Sequence, residues 1–141
     1  MESSGQATFT GTAIVVAYEF ATLAHGAAHA RLGIEVSATQ NLFIWPVMIV
    51  IPLLSMALLW TSRQRAGLWL LALSMAAAFP FDLYFHFAVS GPDNALQQGP
   101  GQWPATFVTT AFLLQALTVA GVLASVWFLR RGPVQVKSVT S

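Results

Sequence analysis

Four uninterrupted apolar runs dominate this chain. Each is long enough to cross a bilayer as a helix, which takes about 20 residues at ~1.5 Å rise each. The runs extend from about Phe9 to Ala30, from Leu42 to Thr61, from Gly67 to Ser90 and from Thr106 to Leu129. Hydrocarbon offers no water to backbone amides, so runs of this length are expected to be helices that satisfy their own hydrogen bonds. Strands of a membrane barrel would show instead as short alternating segments. The sequence therefore predicts an all-α integral membrane protein. It reads as one four-transmembrane-helix bundle over 1–141, with a short polar tail at about 133–141 that is expected to be disordered.

Composition closes the other routes. Hydrophobic residues make up 56% of the 141 and charged residues 8%, against about 25% charged in an average soluble protein. Such a chain cannot clothe a soluble surface in polar groups, and it is too apolar to be disordered. Six basic residues against five acidic ones leave a net charge of +1, which excludes a nucleic-acid-binding surface. Cysteine is absent, so disulfides, thiolate metal sites, iron–sulfur clusters and Cys nucleophiles are excluded as well. The expected partner is the lipid bilayer, with other membrane subunits or a homo-oligomer left open.

Charge also predicts orientation. With an even number of spans, the N-tail, the 62–66 loop and the C-tail share one side, which carries Arg63, Arg65, Arg130, Arg131 and Lys137. The other side carries Arg31 alone. Basic loops favour the cytoplasm, so both termini are expected there, in a multi-pass protein of the cell membrane. Trp60, Trp69 and Trp127 fall at the inner boundary and Trp45 and Trp103 at the outer one, as an aromatic belt requires. The first span ends in Ala28-His29-Ala30, a small-x-small pattern, but Met1–Gly5 holds no Lys or Arg. The span is therefore expected to be retained rather than cleaved. The long outer connection, Gly91 to Ala105, is rich in turn formers. It can fold over the bundle as a lid or serve as a plain connector.

Ionisable groups inside spans are expensive, so each one asks for a reason. Glu19, His25 and His29 lie in the first span, Asp82 and His86 in the third, and these include every histidine of the chain. At about 100° per residue, Tyr18, Glu19, Thr22, His25, Gly26 and His29 form one stripe roughly 120° wide. Ala13, Ala17, Phe20, Ala24 and Ala27 lie opposite, suited to lipid or to apolar packing. His25 and His29 are four residues apart and so project from one face. Asp82 and His86 repeat that spacing. Measured back from the span ends, His29 matches His86 in depth, and His25 matches Asp82. Pro80, two residues before Asp82, removes a helical hydrogen bond and is expected to kink the third span.

Three imidazoles and a carboxylate suit a first-row transition metal such as Cu, Fe or Zn. His25, His29, Asp82 and His86 are the expected metal ligands, serving redox (oxidoreductase) or metal-handling work. The Asp82-x-x-x-His86 pair joined by another His resembles the membrane copper site in the C subunit of particulate methane and ammonia monooxygenases. That likeness covers these ligands only. A hydrogen-bonded network tying two helices together is the plainer reading of the same residues.

Three other functions fit the pattern. Haem b could sit between His29 and His86, with Gly26, Ala27 and Ala28 leaving room for the macrocycle, in an electron-transfer subunit. Glu19 could carry protons in a small transporter, and small four-span multidrug exporters resemble this chain in having such a Glu in the first span. Alternatively Asp82 or Glu19 could act as general acid in a cofactor-free cyclase or isomerase on a lipid-soluble substrate. Gln115 is expected to tie the fourth span to a neighbour, Glu19 being one candidate partner. Ala116, Ala120 and Ala124, with Gly121 and Ser125 beside them, are expected to pack within the bundle. Met48, Met56 and Met75 are read as space fillers rather than copper ligands.

Overall fold

A computed structural model describes residues 2–131. Lys137 and the tail at 133–141 lie outside the described residues. Helix α1 spans Glu2–Leu32, and α2 spans Ala38–Phe43. The chain continues from α2 through a π-helical segment, Ile44–Val50, into α3, Ile51–Leu59. Helix α4, Gln64–Leu83, runs on into a second π segment, Tyr84–Ala88. A short 3-10 turn, Ala95–Gln97, precedes α5, Gln102–Arg131. The helical stretches Ser4–Leu32, Ala38–Leu59, Gln64–Ala88 and Gln102–Arg131 are long and apolar enough to cross a membrane. The described residues contain no strand, and the all-α four-helix bundle expected from the apolar runs is the observed fold.

All four helical stretches begin earlier than their apolar runs, and at the first three the polar residues of the ends find partners. Thr8 Oγ1 donates to the Leu59 carbonyl at 2.9 Å, and the Gln64 side-chain amide donates to Ser4 O and Thr8 Oγ1, both at 2.7 Å. These bonds fasten the first turns of α1 to the α3–α4 corner. The second span starts at a capping box: Ser37 Oγ accepts from the Gln40 amide, while Gln40 Oε1 accepts from the Ser37 amide. Together they satisfy two of the free N–H groups that open a helix.

The prolines lie in or near irregular stretches of helix. Helix α4 passes through Pro80 as α-helix, and the irregular backbone follows at Tyr84–Ala88, where the Val89 amide bonds to the Tyr84 carbonyl five residues back. Pro46 lies inside the first π segment. A proline leaves a carbonyl without its helical donor, and wider i→i+5 turns are one way a span re-satisfies its backbone.

The core forms around Val15, Tyr18, Leu71, Met75 and Leu114, with Met48 at its edge and Met56 packed against it. The methionines therefore fill space. Helix α5 packs on α1 and α4, and α3 packs on α4. Gly67 permits the last contact: a Cβ there would stand 2.9 Å from the Ser55 carbonyl oxygen and 3.0 Å from the Leu59 nitrogen. Of the small-residue stripe on α5, Gly121 and Ser125 are buried and Ala124 half-buried, whereas Ala116 and Ala120 face outward. Only part of the small-residue stripe packs within the bundle.

The 91–101 connection is folded onto the end of the bundle opposite the termini. Asn94 and Ala95 are buried. The Asn94 side chain donates to Val89 O at 2.8 Å and accepts from the Leu96 amide at 2.9 Å. Ala95 packs with Ala28, Phe107 and Ala111. The connection is a lid, and it carries Asp93 inward.

Candidate metal centre

The stripe on α1 and the end of the third span face each other beneath the lid. His25, His29 and His86 are all buried, and each offers a ring nitrogen within 4.8 Å of the others. Ring centroids of His25 stand 4.8 Å from His29 and 4.6 Å from His86. On the opposite side of α1, Ala13, Ala17, Phe20 and Ala27 are exposed, Phe20 at 69%, and Ala24 is half-buried.

Each imidazole is held by a neighbour. His25 Nδ1 lies 2.8 Å from Thr110 Oγ1. The Thr110 hydroxyl already donates to a carbonyl of its own helix, Thr106 O at 2.8 Å or Phe107 O at 3.0 Å. It therefore accepts from His25, which places the His25 proton on Nδ1 and leaves the Nε2 lone pair free. That Nε2 sits 3.2 Å from His29 Nε2. His86 addresses two carboxylates: its Nδ1 is 3.1 Å from Asp93 Oδ1 and its Nε2 is 4.0 Å from Asp82 Oδ1. The Asp93 backbone carbonyl also lies 3.1 Å from His86 Nδ1.

Asp93 completes the cluster from the lid. Its Oδ1 is 3.2 Å from His29 Nε2 as well, so one carboxylate oxygen meets two rings. Burial by itself would raise the Asp93 carboxyl, but contact with the His29 and His86 rings outweighs it and holds the group well below the usual carboxylate range. Phe107 of α5 closes the back of the site, its ring 4.6, 5.1 and 5.6 Å from those of His25, His29 and His86. The polar group α5 offers to the rings is the Thr110 hydroxyl, at His25.

Asp82 stands one step behind. It is 1% exposed, and its Oδ2 is enclosed without a hydrogen-bond partner. Its link to the rings runs through His86, not through His25 as the matched depths implied. The pair keeps its i, i+4 contact across the start of the π segment. Glu19 lies deeper and outside the cluster, half-buried, with Oε1 enclosed and unpartnered. Gln115 ties α5 to the Phe79 carbonyl of α4 at 3.4 Å, and no hydrogen bond joins it to Glu19. Gly26 and Ala27 border an open cavity, while Ala28 is buried against the lid.

Asp93, Thr110 and Phe107 escaped the sequence reading. Asp93 sits in a Pro-Asp-Asn turn, and turn propensity explained it fully. A threonine in a membrane helix ordinarily bonds its own backbone, as Thr110 also does. The one available signal was the length of the 91–105 connection, which allowed a lid. Comparison with known protein families, with curated proteins and with solved structures finds no match for this chain.

Proposed function

We propose that this protein binds one transition-metal ion, of the copper, iron or zinc class, through His25, His29, His86 and the lid carboxylate Asp93. The work expected of such an ion is redox chemistry or metal handling in the cell membrane. The observation that carries the reading is three buried imidazoles with ring nitrogens within 4.8 Å of one another. An ion with bonds of ~2.0–2.1 Å to four tetrahedral ligands sets them about 3.3 Å apart. His25–His29, His29–Asp93 and His86–Asp93 are spaced at 3.2, 3.2 and 3.1 Å. Protons now hold groups together at distances one ion would span.

Asp82, expected as a ligand, fits better as the support for His86. A carboxylate behind a metal-bound imidazole fixes its tautomer and raises its basicity. Haem between His29 and His86 is less well supported. His25 packs on both rings and Asp93 touches both, so the gap that a macrocycle needs is filled.

Metal titration of the purified chain in nanodiscs tests the proposal. One equivalent is expected to bind. The affinity should fall at least about tenfold for His25→Ala and for His86→Ala, and by about 10–100-fold for Asp82→Asn. Helicity measured by circular dichroism should stay unchanged. Binding that survives the loss of all three histidines, or no binding by a well-folded protein, would sink the reading.

A further inference from the structure

A cavity of about 430 Å³ lies between α1, the second span and α4, and the candidate metal centre forms one of its walls. That size falls within the range of small-molecule sites. The polar wall is His25, His29, Asp82, His86 and Asp93. Most of the remaining surface is apolar, with Ile44, Met48, Phe81 and Phe85 among its members, and Thr22, Gln40 and Asn41 add uncharged polar groups. Leu23 and Trp45 sit at the margin and are 67% and 60% exposed on the apolar flank of the bundle. The cavity therefore opens sideways, between the first and second spans, onto the surface that lipid would cover.

The chemistry of the walls selects an occupant. The two carboxylates on the polar side offset the charge of a divalent ion held there, so the wall carries no net positive charge to draw a phospholipid headgroup or a fatty acid. Asp82 Oδ2 is enclosed without a partner, and a buried acceptor left unpaired favours any donor that satisfies it. The apolar lining accommodates an alkyl or aryl body. An occupant that arrives through hydrocarbon must be uncharged and membrane-soluble.

We infer that this cavity binds an uncharged, membrane-borne hydroxy compound, an alcohol or phenol, which arrives laterally between the first and second spans and donates its hydroxyl to Asp82. The inference deepens the metal proposal by naming the ligand class of the same site, and it rests on that reading for what the ion would act on. Occupancy itself depends only on the cavity and Asp82. Gly26 borders the cavity, and a Cβ added there meets nothing within 4 Å. A large side chain at this position would fill the cavity without disturbing the packed face of α1.

The test uses the full chain in nanodiscs and a diazirine-bearing alkylphenol, with labelled peptides mapped by mass spectrometry, before and after chelation. Labelling is expected on the α1 and second-span walls. It should fall about tenfold with 4-hexylphenol as competitor and less than about twofold with hexylbenzene at equal membrane concentration. Gly26→Phe should abolish it, and Ile49→Trp serves as a second plug should the first variant lose helicity. Equal competition by hexylbenzene, or labelling unchanged in both plugged variants, would overturn the inference. Protein that binds metal but takes up no phenol refutes this inference alone. Protein that takes up phenol but binds no metal refutes the metal proposal alone.

Discussion

At the scale of single residues, the centre depends on groups that hold the imidazoles in one tautomer and direction. Thr110 is the clearest case, because its hydroxyl proton is already committed to the backbone and only its lone pair remains for His25. Thr110→Val removes that acceptor while keeping the shape of the side chain. Metal affinity is expected to fall about tenfold, with helicity retained, and Thr110→Ser should restore it. A titration in which the Val variant binds as tightly as the parent would show that His25 needs no such anchor. Asp93 works from the opposite side, and its depressed carboxyl means that it presents a charged oxygen to both rings through the ordinary acidic range.

Among elements, the decisive contact is the close approach of α3 and α4 at Gly67. Lipid tails are as apolar as side chains, so helices in a bilayer gain from backbone proximity rather than from burial alone. Gly67→Ala would press a methyl against the backbone of α3 at Ser55 and Leu59. It is expected to destabilise the bundle by about 1–3 kcal/mol, measured by unfolding in denaturing detergent. Gly26→Ala meets open space and should be neutral or slightly stabilising, since alanine is the better helix former. Equal destabilisation by both changes would mean that helix propensity, and not the α3–α4 approach, governs. The π segments belong to this scale as well. Both border the cavity, one carries His86, and wider turns of this kind recur at functional sites.

For the whole molecule, the bundle is polarised along its axis. Arg63, Arg65, Arg130 and Arg131 gather at the end that holds the termini, with the Arg131 guanidinium 4.1 Å above the Trp127 ring. The lid and the histidines occupy the other end, where Arg31 lies 5.4 Å from Trp103. If basic residues stay in the cytoplasm, the histidine cluster faces outward. The chain has no cysteine, so single cysteines report cleanly. Gln98→Cys should react with an impermeant maleimide on intact cells and Ser62→Cys only after lysis. The reverse pattern would invert the orientation.

The amino-acid sequence by itself determined the number of spans, the helical class and the buried face of α1. Bilayer thickness and backbone hydrogen bonding act on run length and on residues a few positions apart, and both can be read along the chain. His25, His29 and His86 were legible as one cluster for the same reason: i, i+4 spacing and matched depth are local quantities. Only the tertiary structure decided that Asp93 reaches in from the lid, that Thr110 orients His25, and that Asp82 stands behind His86 instead of beside His25. Those outcomes depend on how a Gly- and Pro-rich loop folds and on which side chains neighbouring helices bring together, and no periodicity along the chain encodes either.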